Sequence, residues 1–186
     1  MRRIRCYLIV CLLLFVGKNA FAQRIAISTN ALDYLSLGTV NVEGGLSVAQ
    51  HWSLWAGARI NPWTWNIKDV ETRNQQRTVW VGARWWPWYV YSGWWVGIKT
   101  EYLNYSNTGI WRPALQEGSG VGLGITGGYT RMLSPHWNIE FSLGALGGYL
   151  FKYGLYSSPA RHYTRSEEPH AFLYPDNPSI AILYVF

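Results

Sequence analysis

The sequence predicts an all-β fold: an eight-stranded, antiparallel, up-and-down transmembrane β-barrel with a filled interior. Three observations lead there. Charged residues make up only 14% of the 186-residue chain while aromatics reach 17% and glycines number 19, yet mean hydropathy is −0.05. Few charges and many rings at near-zero hydropathy suit a sheet with two unlike faces better than a bundle of apolar helices. Period-2 alternation recurs along the chain, and no stretch of ten or more residues beyond the N-terminal segment carries a convincing 3.6 period. Finally, connections alternate in length. Short turns on one rim and long loops on the other are the plan of an outer-membrane barrel.

The first 22 residues read as a cleaved signal peptide. Arg2, Arg3 and Arg5 form a positive n-region. Tyr7 to Val16 is an apolar run too short to span a bilayer, and Ala20-Phe21-Ala22 is an A-x-A cleavage site. The mature barrel is expected to be residues 23–186. Cleavage removes both cysteines, Cys6 and Cys11, so the mature chain has no thiol or Cys-based metal site. It also removes four basic residues (Arg2, Arg3, Arg5, Lys18) and no acidic one, taking net charge from +6 to +2. No Lys/Arg cluster remains to suggest nucleic acid.

Eight strands are expected: Arg24–Asn30, Thr39–Val48, Trp52–Asn61, Arg77–Trp86, Trp94–Asn104, Gly120–Met132, Trp137–Lys152 and Pro178–Phe186. Ala49–His51, Pro87–Gly93 and Leu133–His136 are the short turns. Pro62–Gln76, Tyr105–Ser119 and Tyr153–Asn177 are the long loops, and Ala31–Gly38 is a brief connection on the loop side. In the seventh strand Trp137, Ile139, Phe141, Leu143, Ala145 and Tyr149 share one face, and Asn138, Glu140, Ser142, Gly144, Gly148 and Lys152 the other. A lipocalin-type carrier turns the apolar set inward; a membrane barrel turns it outward.

Outward is the better orientation. The polar face is rich in glycine (Gly45, Gly57, Gly82, Gly97, Gly122, Gly124), which suits a crowded eight-strand interior. Its charges are few and mixed, and enclosed charges must pair. Glu43, Glu101 and Glu140 are expected to pair with Arg59, Arg84 and Lys99, beside inward Trp55, Trp80 and Trp95. Rings gather at strand ends. Trp52, Trp85, Trp86, Trp88, Trp94 and Trp137 fall at the turn rim, and Trp63 and Trp65 toward the loop rim with Tyr102 and Tyr149. Eleven steps from Trp52 to Trp63, at about 3.3 Å each and a tilt near 40°, rise roughly 28 Å, the spacing of two aromatic girdles. The last strand places Ile180, Ile182, Tyr184 and the terminal Phe186 on one face. It looks like the C-terminal strand read by the barrel-assembly machinery.

On "ISTNALDYLSLGTVNVEGGLS", "WSLWAGARINPWTW", "ARWW" and "WNIEFSLGALGGY", the chain resembles the domain-of-unknown-function 3575 family of small barrels found in Bacteroides-type bacteria. The resemblance implies an outer-membrane protein without an assigned activity, in some members encoded near fimbrial genes.

Catalytic chemistry is not legible. His51 and His136 fall in turns. His162 and His170 flank Glu167 and Glu168 in "RHYTRSEEPH" without a fixed metal-ligand spacing. A lipid A-modifying hydrolase needs a Ser–His pair at the outer rim, and no H-x-S occurs. "GSGVGLG" (118–124) lacks the Lys-Ser/Thr of a phosphate loop. No enzyme, metal or cofactor is expected. The expected role is structural or interactive in the cell outer membrane of a Gram-negative bacterium. Its partners would be membrane lipid, the assembly machinery and a surface or fimbrial protein, met by loops bearing Trp111, Arg112, Tyr163, Arg165 and Glu168. The alternatives are a lipid A-modifying barrel and a soluble periplasmic barrel holding a lipophilic ligand.

Overall fold

The computed structural model describes residues 25–67, 70–109, 112–157, 162–165 and 169–186. The expected signal peptide, Arg24, Trp111, Glu167 and Glu168 lie outside the described residues, as do the side chains of Arg112, Tyr163 and Arg165.

Each of the eight expected strands has an antiparallel counterpart, with Thr39, Trp86 and Phe186 just outside theirs. The elements are β1 (Ile25–Asn30), α1 (Ala31–Leu35), β2 (Val40–Ala49), β3 (Trp52–Asn61), β4 (Thr64–Ile67), β5 (Val70–Trp85), β6 (Gly93–Gly109), β7 (Arg112–Met132), β8 (Trp137–Ser157), β9 (His162–Arg165) and β10 (His170–Val185). β1, β2, β3, β5, β6, β7, β8 and β10 pair in that order. β10 then pairs back onto β1, Ala26 opposite Val185 and Asn30 opposite Ala181, closing an eight-strand ring. β4 pairs only with β5 and β9 only with β8 among the described residues. The amide of Phe186 donates to the Ile25 carbonyl (2.9 Å) and completes the closure.

Much of the expected loop is strand. β5 starts at Val70 rather than Arg77, and β6 and β7 run as one ladder from Gly93↔Thr130 to Gly109↔Arg112. At about 3.3 Å per residue a 17-residue strand extends some 56 Å. The upper part escaped the alternation test for a simple reason. Asn74, Gln75 and Gln76 on β5 and Ser106, Asn107 and Thr108 on β6 are polar on both faces, so no period-2 signal survives although the backbone pairing continues.

The brief connection after β1 contains α1. Asn30 caps it, its Oδ1 accepting from the Leu32 amide (3.1 Å). The chain leaves it through left-handed Leu37 (φ 54°) and Gly38 (φ 78°).

The faces of the ring are inverted relative to a soluble sheet. Ile98, Leu123, Ile125 and Leu143 are 62–74% exposed on the outside, while Asn41, Ser53, Thr78, Glu101 and Glu140 are buried inside. Lys152 departs from the expected inward register. The β7–β8 ladder shifts between Ser119 and Gly120, skipping one residue of β8, and Lys152 is exposed. Leu146 and Leu150 are the large buried side chains of upper β8, clustered with Phe172.

Candidate functional site: the charged interior

Indole rings build the walls of the interior. Trp55 stands opposite Gly45, Trp80 opposite Gly57 and Trp95 opposite Gly128 on neighbouring strands. A Cβ on Gly45 or Gly128 would meet the facing indole at 2.8 Å, and one on Gly57 would come closer still. Each ring therefore lies flat across the strand beside it, which only a residue without a side chain permits.

The turn after β5 closes one end. Tyr91, at φ 67°, folds inward and meets Trp55 and Trp86 edge-on, at 5.9 and 6.0 Å between ring centres. Burial pushes its phenol far above the ordinary value. Trp55 and Trp86 both donate to the Ser53 hydroxyl (2.7 and 2.8 Å), and Asn138 donates to the Tyr91 carbonyl (2.9 Å). Trp86 was expected among the outward interface aromatics. It is instead fully buried. One residue past the last β5 pairing, its side chain takes the inward register, where Ser53 satisfies the indole N–H. Trp52, Trp63, Trp65, Trp85, Trp88, Trp94 and Trp137 are all 41–59% exposed.

Above this plug sits a guanidinium clamp. Arg84 lies between Trp55 (3.9 Å) and Trp95 (4.1 Å) and bridges Glu43 (2.6 Å) and Glu140 (3.2 Å). Glu43 also accepts from the Trp80 indole (2.6 Å) and Glu140 from the Thr130 hydroxyl (2.7 Å). A planar cation stacked between two rings has its edge free for carboxylates, a geometry lysine lacks. A second cluster joins Lys99 to Glu101 (2.7 Å) and Asp176 (2.9 Å).

Of the six charged residues expected to form one network, five are ion-paired, but in two separate clusters: Glu43, Arg84 and Glu140 in one, Lys99 and Glu101 in the other. Arg59 stands apart: it lies over Trp80 (5.0 Å), and among the described residues no carboxylate is within ion-pair distance of it. Asp176 is the member that sequence reasoning missed. It precedes the irregularity between Asp176 and Ser179 in β10, so its inward aim depends on a shift that no periodicity displays.

A cavity of about 80 Å³ separates these groups, lined among others by Asp33, Arg59, Lys99 and Asp176. Among the described residues no group of His, Cys, Asp and Glu side chains converges as a metal site would. His51 and His136 each engage a backbone carbonyl, of Trp86 (2.9 Å) and Val185 (2.8 Å), tying the turns to the neighbouring strand ends.

On the terminal strand, Ile182 and Phe186 are exposed and Tyr184 packs against Trp137 (5.0 Å between ring centres). Ile180 is half-buried, its amide donating to the Asn30 side chain (3.0 Å). The opposite face is apolar too: Ala181, Leu183 and Val185 are buried in the plug.

The family model described as protein of unknown function (DUF3575) matches residues 7–186. No curated protein and no solved structure matches the chain.

Proposed function

From the premise that the chain belongs to the DUF3575 family, whose function is unassigned, we propose that it is an integral β-barrel of the bacterial outer membrane, plugged inside and non-catalytic. Its role is to hold the tall β5–β8 hairpins at the cell surface as a structural or interaction platform in the cell envelope. One observation carries the reading: large aliphatic side chains cover the outside of the closed ring while carboxylates, Arg84 and Lys99 occupy its interior. Water around the ring would leave that apolar band unburied, whereas hydrocarbon suits it, and a closed ring leaves no backbone edge in lipid over its paired height. The same inversion argues against the soluble carrier, whose lipophilic ligand would meet a charged lumen.

Exposed rings at both rims fit headgroup depth. The surface or fimbrial partner remains part of the proposal through the family resemblance, with the long hairpins as its contact. Fractionation with gel migration before and after boiling tests the reading. The chain is expected in carbonate-washed outer membranes with heat-modifiable mobility. Recovery in the soluble periplasmic fraction would reject it.

A further inference from the structure

Beyond the Asn30–Ala181 pair the ring wall is incomplete on one side among the described residues. β1 pairs with β10 only from Ala26↔Val185 to Asn30↔Ala181, but β10 continues to His170 with β8 on its other side. Along residues 170–179 the second edge of β10 meets no strand among the described residues. Two prolines, Pro175 and Pro178, fall in this stretch and remove two backbone donors from the ladder. Among the described residues β10 also contacts α1, five residues long, with Leu35 exposed outward and Asp33 buried inward.

Behind this seam lies the cavity. Asn30 and Asp33 line it from the β1–α1 side, and Asp176 and Ser179 from β10. Two buried charges facing it lack an ionic partner. Arg59 is 8% exposed, and its Nε has no hydrogen-bond partner. Asp33 is 6% exposed. Neither lies within ion-pair distance of an opposite charge among the described residues. A buried charge left so is costly, and here one of each sign faces the same space.

We propose that this seam is a lateral port, and that the cavity takes a zwitterionic lipid headgroup, its phosphate on Arg59 and its ammonium on Asp33. The inference rests on the membrane reading above. A strand edge with no neighbouring strand does not face hydrocarbon unaided, and a polar headgroup at the seam suits it where an acyl chain does not. At roughly 10–15 Å³ of such volume per water, the space holds about five to eight waters, comparable with a phosphoethanolamine group. Leu173 and Tyr174, 76% and 50% exposed at the seam, would flank the acyl chains.

The test uses the full mature chain in nanodiscs, with heat-modifiable migration as the check of insertion and folding. Lipid retained after detergent exchange is counted by native mass spectrometry, offering phosphatidylethanolamine, phosphatidylglycerol or free O-phosphoethanolamine. The expected result is one phosphatidylethanolamine per chain, at least tenfold preferred over phosphatidylglycerol, with the preference lost in Arg59→Met and Asp33→Asn. Equal retention of the two lipids, or a preference unchanged in both variants, overturns the headgroup site. Retention of free O-phosphoethanolamine without the lipid overturns the lateral route. Should either variant misfold, a photo-crosslinking residue at Leu35 is compared with one at Leu123 on the outside of β7. Enrichment of phosphatidylethanolamine adducts at Leu35 alone supports the port, and equal adducts overturn it. A chain that never enters the discs overturns the membrane reading and the port together; one that enters without preference overturns only the port.

Discussion

Arg84 shows how much of the interior hangs on one side chain. Removing it in Arg84→Ala strands Glu43 and Glu140 in a space closed by indoles, so a loss of about 3–5 kcal/mol is expected. The triple variant Glu43→Gln, Arg84→Met, Glu140→Gln leaves no charge behind and is expected to lose far less. Urea unfolding in lipid vesicles, followed by tryptophan fluorescence, compares them; an equal loss in both would show that the charge argument is wrong. Trp86 and Trp88 make a second contrast. Trp86→Phe removes a buried donor to Ser53 and is expected to cost about 1–3 kcal/mol, while Trp88→Phe at an exposed site (58%) changes unfolding little. The sequence made the two look alike, since both sit in one aromatic run; which of them turns inward was decided by the pairing of β3 and β5. Asp33 adds a pH signature. It sits on α1, outside the ring strands, and burial raises its pKa more than attraction to Arg59, hydrogen bonding with Asn30 and attraction to Lys99 lower it, with Asp176 raising it further. A carboxyl whose folded pKa lies above the unfolded one favours folding when protonated. Its ionisation therefore costs stability as pH climbs from the unfolded value of 3.8 through the folded one. In vesicles of phosphatidylglycerol alone, which offer Asp33 no ammonium, Asp33→Asn is expected to be more stable than the parent at pH 7, with the advantage shrinking toward pH 3 in the same unfolding assay.

Strand existence was legible because a ring with unlike faces must alternate. Strand length was not. Alternation reports the difference between two environments, and above the apolar band of the ring there is none, so the sequence of upper β5 and β6 reads as loop while the backbone hydrogen bonds continue. β4 and β9 went unread for a different reason: each is four residues long, too short for a period-2 pattern to stand out. The terminal strand held a further surprise. Its outward residues were legible, but Ala181, Leu183 and Val185 also pack into the plug, because the interior near the short turns is apolar. Deleting Phe186 removes the amide bonded to Ile25 and the ring against Tyr184 (4.9 Å). A clear drop in the heat-modifiable fraction is expected, while shortening the β6–β7 hairpin above Tyr105 and Gly118 leaves that fraction unchanged.

At the scale of the whole molecule, the interior reads as three layers: an aromatic plug around Trp86 and Tyr91, a paired-charge layer around Arg84 and Lys99, and an apolar cluster of Leu146, Leu150 and Phe172. On the proposed membrane reading such a lumen passes no current, and planar-bilayer recordings are expected to be electrically silent; steady single-channel steps would contradict the plug. What the sequence determined by itself is the fold class, the closed eight-strand order and the sign of each face, because period 2 and the segregation of glycine and charge from aliphatic residues are local properties. What only the tertiary structure decided is which charge meets which. Arg84 reaches Glu140 across 56 residues, and Lys99 reaches Asp176 across 77, while Arg59, on the same face, meets neither. Those partners follow from ring closure, from the shift after Asp176 and from the inward fold of α1, and such long-range geometry leaves no periodic trace in the chain.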